Sequence, residues 1–462
     1  MPHPRVNGIP PKNSPRAERY DAGQALRKSV AREAHAGCPP GSGRDPVAIL
    51  GETDAARIPE LLPIRYERML RSPFTFLRGA AAVMAHDLAS LPQTGAHVQA
   101  CGDCHLLNFG AFNSPEGRVL FDINDFDETL PGVDFTVDLK RLAASVAVAA
   151  LDANMPDKKA RNLVGATAKS YREFILELAT KSPLEVWYTR MDVDREVKRI
   201  AEVKLREKIL SILVEAQKDL ATDDNFPHLA TTKAGVAHIE DRPPRIYHFD
   251  TEATKGYKIH AHSAFTSYQG SLLPERRVLV ERYSLSDIAF KVVGVGSVGT
   301  FCAVGLFMTA DGEALFLQVK QALASVLEKI AAPPPGLVHQ GSRVVEGQRA
   351  MQAASDIFLG FTEDRKTNRH FYVRQLKNRH LGSLGEVIEG KALDAYANLC
   401  GRTLARAHAR SGDPALLAGY MGKSGALDDA LASFAMAYAA QTKRDHAQLK
   451  AAIGKRTGLA GA

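Results

Sequence analysis

The sequence predicts an α+β protein built as a β-rich lobe and a larger helical lobe, and three observations predict it. Apolar residues recur at helical spacing over residues 58–91 and 137–180, and again from Leu393 onward. Between 276 and 378 the pattern changes to strand-like, β-branched runs: RRVLVERY, IAFKVVGVGSVGTFCAVGLFM, ALFLQVKQA and HFYVRQL. The third observation is a polar concentration within residues 98–142, where the span 103–127 holds four Asp, one His and three Asn around two short apolar runs. Ordinary strands need no such density of ligands, so this stretch is read as the chemical centre. A chain of 462 residues, 45% hydrophobic and 24% charged, has enough apolar side chains for a core of this size.

Taken in order, residues 1–45 are rich in Pro, Gly, Arg and Ser, with little periodicity, and predict a flexible or loosely docked arm. Region 46–275 forms the helical lobe, opened by Leu61, Ile64, Met69, Phe74 and Leu77 at helical spacing. VQACGD and RVLFDIND then read as strands, with the turn residues NSPEG between them making a hairpin. A charged amphipathic helix is expected over about 192–220, and 221–275 reads as an irregular connection. Region 276–378 is the β-rich lobe, with Asp311-Gly312 as a hairpin turn and one helix from Arg343 to Leu359. Region 379–462 returns to helix and is expected to pack back on the helical lobe.

No window approaches eighteen apolar residues, so a helical membrane span is not expected. The opening MPHPRVNGIPPKNSPRAERY lacks the apolar segment of a secretory signal, which makes the cytoplasm the expected compartment. Five cysteines, odd in number and sparse, argue against a disulfide framework. The net charge of +7 is spread along the chain; it accommodates an anionic ligand and does not call for nucleic acid.

Gly294, Gly296 and Gly299, with Ser297 among them, lie between two strand-like runs. Glycines at this spacing let backbone N–H groups close over phosphate oxygens, because no Cβ holds the ligand off. A strand follows them rather than a helix, which fits a glycine-rich hairpin over a nucleotide and not a Rossmann turn. Lys320 ends the next strand and is placed to pair with those phosphates. It needs a carboxylate to hold it; Glu346 on the following helix offers one, with Gln348 as a neutral substitute. Asp103 then suits the residue that orients or deprotonates a substrate hydroxyl, Asn108 a Mg²⁺ ligand, and Asp125 a second one. Asp122 and Asp127 compete with Asp125 for that role. Cys101, Cys104 and His105 also fit a haem-attachment or zinc pattern, but neither chemistry uses Asn108 or Asp125.

Asp103, His105 and Asn108 together resemble the Asp-x-His-x-x-Asn loop of small-molecule kinases. Asp125-Phe126, Gly132 and Asp138-Leu139 follow with a spacing similar to that of aminoglycoside and choline kinases. LCGRTLARAHARSGD, residues 399–413, resembles the helix that runs into the catalytic loop of those enzymes. In them the glycine loop and lysine come before the catalytic Asp, whereas here Asp103 comes first, so the resemblance implies a circularly permuted protein-kinase-like fold.

GDCHLLNFG, FDINDFDETLPG, VDLKRLAAS, VGSVGT, FLQVK and YAAQTKRDH further resemble the bacterial family called domain of unknown function 2252, over nearly the whole chain after residue 20. That family is grouped by resemblance with the protein-kinase-like fold. The resemblance implies a phosphotransferase using ATP and Mg²⁺. Asp103 would be the base with His105 beside it, Asn108 and Asp125 or Asp127 would take the metal, and the 294–299 loop and Lys320 would hold the nucleotide. The acceptor, small molecule or protein, is not specified. Rival expectations are a nucleotide-binding pseudokinase or sensor, and nucleotidyl transfer at the same site.

Overall fold

In the computed structural model, residues 8–38, 43–199, 203, 206–207, 229–233, 236–248, 261–292, 294, 296–376 and 393–456 are described, and they form an α+β fold. The expected loose arm is instead a docked element. Helix α1 (Arg16–Leu26) lies against the helix Pro414–Met421 with the two backbones in contact. A Cβ on Gly23 would sit 2.0 Å from Leu416 O, and one on Gly419 2.0 Å from Tyr20 O, so only glycines allow the approach. Arg27 Nε then donates to Tyr420 O at 2.7 Å, and the His35 Nε2 lies 2.7 Å from the Tyr420 hydroxyl. Composition pointed to an arm because a tertiary docking of this kind leaves no periodic signature.

His35 is fully buried, and burial, reinforced by Lys140, lowers its pKa to about 4. The unfolded chain takes up a proton near pH 6.5 that the folded ring refuses, so stability falls as pH drops below that value. About 2 kcal/mol is expected to be lost by pH 5 through this ring alone. Urea midpoints between pH 7 and pH 5 should therefore shift less in His35→Gln than in the wild type.

Helices α2 (Pro46–Asp54), α3 (Leu62–Met69), α4 (Pro73–Gly79) and α5 (Ala81–Leu88) occupy the predicted helical stretch. Proline in the first turn of α2, α3 and α4 presets φ where its missing N–H costs nothing. Four strands follow: β1 (His97–Ala100), β2 (Phe109–Asn113), β3 (Val119–Ile123) and β4 (Leu130–Asp134). The hairpin is β2–β3, while β1 pairs with β4, which corrects the expected pairing of VQACGD with RVLFDIND. The cause is local. Cys101 N and Gly102 N donate to the Asp138 carboxylate at 2.7 and 2.9 Å, which draws the chain out of the ladder after Ala100.

Helices α6 (Thr136–Asp152) and α7 (Asp157–Leu178) come next, α6 buried over almost its whole length. Short helices α8 (Pro183–Tyr188) and α9 (Val193–Lys198) follow, and most of the helix expected to run to 220 lies outside the described residues. Within the segment read as irregular, β5 (Ala230–Lys233) and β6 (Val236–Ile239) form a hairpin, followed by β7 (Ile246–Tyr247) and α10 (Ala261–Ser271). RRVLVERY, read as a strand, lies largely in helix α11 (Pro274–Val280): Pro274 starts a helical turn there and Val280 closes it into the core.

Strands β8 (Ser284–Lys291), β9 (Cys302–Met308) and β10 (Ala314–Gln321), helix α12 (Gln340–Met351), and strands β11 (Gly360–Asp364) and β12 (Arg369–Gln375) complete the β-rich region. Its six-stranded antiparallel sheet has the order β11-β12-β10-β9-β8-β7. Lys320 on β10 stands in register between Cys302 and Tyr372, in the middle of that sheet. Helices α13 (Leu393–Ser411), α14 (Pro414–Met421) and α15 (Ala426–Arg456) close the chain. One apolar cluster runs through α6, α7, α13, α15 and the β2–β3 hairpin, and anchors the loop between β1 and β2 on a rigid base. Among the described residues no helix is long and apolar enough to cross a membrane.

Candidate functional site

The loop after β1 presents Asp103. Gly102 has φ +85° and lies so close to the chain after β3 that a Cβ would meet Glu128 O at 2.3 Å. Arg141 on α6 donates from Nε to Asp103 Oδ1 at 2.8 Å, and from Nη2 to Leu77 O at 2.8 Å. Burial alone would raise the Asp103 pKa, but Arg141, then His105 and Arg78, hold it below the usual carboxylate value. The side chain is therefore an ionised carboxylate, fixed through one oxygen. His105 Nε2 lies 3.8 Å from Asp103 Oδ2, and burial lowers its pKa to about 3. Such a ring is neutral at neutral pH, and at that distance it makes no hydrogen bond to Asp103. Asn108 Nδ2 donates to Asp103 O at 2.6 Å, which leaves its Oδ1 as the atom available to a ligand.

The three competing aspartates separate cleanly. Asp122 points into the interior, where it is paired with Arg406 and accepts from Ala353 N at 2.9 Å. Asp125 lines the cleft; its Oδ1 accepts from Asp127 N at 3.0 Å, and burial and the Asp127 charge raise its pKa. Asp127 is ion-paired with Lys320 and accepts from Ser297 Oγ at 3.0 Å and the Tyr372 hydroxyl at 2.8 Å. Lys320 outweighs burial and lowers the Asp127 pKa. Burial in turn would lower the Lys320 pKa, but Asp127, Tyr372 and Asp125 raise it, so the ammonium stays charged.

The carboxylate that holds Lys320 is thus Asp127, which corrects the assignment of Glu346. On α12 the buried arc carries Arg343, Val344, Gly347, Gln348 and Met351, and Glu346 lies across the helix from it, exposed. Arg343 is the residue that reaches the site, donating to Asp127 O at 2.9 Å and Leu323 O at 2.7 Å. Gln348 is buried but bonds Gln352 at 2.9 Å, not Lys320.

The glycine loop closes the cleft from above. Gly294 and Gly299 have φ of +69° and +93°, and Ser297 Oγ accepts from Lys320 Nζ at 2.7 Å. Alternate carbonyls of the loop are tied back by arginines from the start of the helical region: Arg68 to Gly294 O, Arg65 to Gly296 O at 3.5 Å and Arg57 to Val298 O at 2.6 Å. Ile58 N also donates to Gly299 O at 2.7 Å. A Cβ on Gly296 would lie 3.2 Å from Arg78 O and 3.8 Å from Asp103 Oδ2, so the loop tip rests directly over Asp103.

Asp103, His105, Asn108, Asp125, Asp127, Gly294, Gly296 and Ser297 therefore line one cleft; Lys320 stands behind Asp127 and Gly299 at the loop's far end. Sequence reasoning missed Arg57, Arg65, Arg78 and Glu128, which line it too. The arginines belong to no motif, and their burial could not be read from helical spacing. Glu128 was one residue past the weighed aspartates, and burial raises its pKa to about 7. At the rear, Gln99 N donates to Ser411 Oγ at 3.2 Å, and a Cβ on Gly412 would meet Val98 Cγ1 at 2.7 Å, so the end of α13 abuts the start of β1.

These features define an α+β protein with an oxygen-rich, acidic cleft under an arginine-braced glycine loop. The chain belongs to the family described as "Uncharacterized protein conserved in bacteria (DUF2252)", whose model matches residues 57–452. No curated protein matches it, and no solved structure does.

Proposed function

We propose that this protein is an ATP- and Mg²⁺-dependent phosphotransferase with a two-lobed, kinase-like fold in circularly permuted order. The observation that carries the reading is convergence: Asp103, Asn108, Asp125 and Asp127 meet Gly294, Gly296 and Ser297 at one cleft, with Lys320 paired to Asp127 behind it, although the two sets lie far apart in sequence. The donor set suits Mg²⁺. Asp125 and Asn108 offer hard oxygens, and the like-charge strain on Asp125 is the kind that a divalent cation relieves. When bound, the ion would neutralise phosphate charge. Asp103 accepts the proton of an acceptor hydroxyl, the glycine loop covers the phosphates, and Lys320 supplies an ammonium from behind Asp127.

The permutation is supported by the junction of Ser411 and Gly412 with Val98 and Gln99, where an unpermuted chain would run from α13 straight into the catalytic loop. The five free cysteines suit a reducing cytoplasm.

The test is thermal stabilisation by ATP with Mg²⁺. At a ligand concentration 100 times Kd, the wild type should gain about 2.7 kcal/mol, and Asp125→Ala should gain little. No shift in the wild type would remove the nucleotide site, and an equal shift in both would remove Asp125 from it. Label from γ-labelled ATP should reach an acceptor. Transfer from α-labelled ATP instead would favour nucleotidyl transfer, and no transfer of either would favour a pseudokinase.

A further inference from the structure

Each guanidinium around the cleft but one has a protein partner among the described residues. Arg57 and Arg65 are spent on loop carbonyls, Arg141 on Asp103, and Arg343 on the carbonyls of Asp127 and Leu323. Arg78, at the end of α4, lines the cleft and makes no hydrogen bond or ion pair among the described residues, and its Nε is closed off from solvent without an acceptor. Burial lowers its pKa, and the nearby Asp103 charge only partly offsets this. A guanidinium desolvated without compensation is costly, and such a group is retained where a ligand completes it.

Its position says which ligand. The tip of the glycine loop at Gly296 lies against the Arg78 carbonyl oxygen and near the free oxygen of Asp103, and the Arg78 side chain lines the cleft at that point, close enough to feel the Asp103 charge. On the phosphotransferase reading, on which this inference rests, that point lies where the terminal phosphoryl group passes from donor to acceptor. We propose that Arg78 is a catalytic residue that binds the transferring γ-phosphoryl group, a cation supplied within the chain that distinguishes nucleoside triphosphate from diphosphate. In the step itself the acceptor oxygen bonds to the γ-phosphorus as its proton passes to Asp103. The bond from that phosphorus to the β–γ bridging oxygen breaks, and its electron pair leaves with ADP. Arg78 stays protonated throughout and offsets charge on the equatorial oxygens through two forked N–H donors.

The experiment compares binding of ATP and ADP, each with Mg²⁺, by calorimetry on the full chain; no acceptor is needed. The wild type should bind ATP more tightly than ADP. Arg78→Gln should weaken ATP roughly 10- to 100-fold and leave ADP unchanged, and Arg78→Lys should fall between, since it keeps the charge and loses the fork. Equal weakening of both nucleotides in a folded variant would make Arg78 structural and overturn the inference, as would no change in either. If Arg78→Gln does not fold, an Arg78→Lys protein with undiminished preference for ATP overturns it equally. Wild-type protein that binds neither nucleotide would instead remove the phosphotransferase reading itself.

Discussion

Asp103→Asn is expected to cut Mg²⁺-dependent release of the ATP γ-phosphate, to an acceptor or to water, by roughly 10²- to 10⁴-fold while ATP affinity stays close to that of the wild type. One oxygen of this carboxylate is held by the buried Arg141, and the other lies under the glycine-loop tip. Asn is the informative replacement. It keeps the shape of the side chain, and Arg141 retains its bond to Leu77 O at 2.8 Å, so the loop need not rearrange. The pairing with Arg141 also defines the kind of base. A carboxylate with a lowered pKa takes a proton late, so its main work is to aim the hydroxyl, and Asn can do part of that without accepting the proton. Release reduced together with ATP binding, in a protein with unchanged melting temperature, would place Asp103 among the nucleotide ligands. Unchanged release would leave the reaction without its base.

What could be read from the sequence was whatever local spacing determines. The Asp103–Asn108 loop and the glycine loop at Gly294 and Gly296 line one cleft, with the lysine that ends the next strand directly behind it on Asp127, because each depends on few neighbouring residues and on turn chemistry. The partner of Lys320 was illegible for a physical reason. Arg343 lies on the buried arc of α12 and Glu346 off it, and which of them reaches the site is decided by how that helix docks against Asp127 and Leu323, not by its own sequence. The pairing of β1 with β4 was hidden in the same way, since it follows from Asp138 on α6 capturing the N–H groups of Cys101 and Gly102. The helical arginines that brace the loop were missed because arginine in a helix reads as a solvated face, and only the fold shows that Arg65 is 1% exposed. Asp122 stayed a candidate beside Asp125 for the converse reason: the two stand three residues apart, yet strand β3 ends between them and turns one inward and the other toward the cleft.

That inward turn makes Asp122 the site of the largest expected loss of stability. Asp122→Asn is expected to destabilise the protein by about 3–5 kcal/mol, read from urea denaturation, because it leaves Arg406 charged and uncompensated in the core. Both side chains are almost completely shielded, at 1% and 0% exposure. Burial raises the Asp122 pKa and lowers the Arg406 pKa despite their contact, which means that desolvation consumes most of what the pair gains. The net worth of the pair is therefore small, while the cost of halving it is large. Asp122→Leu with Arg406→Met should recover part of the loss, since no charge is then buried. Recovery should stop short of the wild type, because Ile123 N and Ala353 N, each 2.9 Å from an Asp122 oxygen, and Met351 O, 2.7 Å from Arg406 Nη1, lose their partners together. Those three backbone groups belong to β3, the end of α12 and the segment after it, all joined here to α13. A double variant as stable as the wild type would show that apolar packing alone holds that junction, and a single variant within 1 kcal/mol would show that water reaches Arg406.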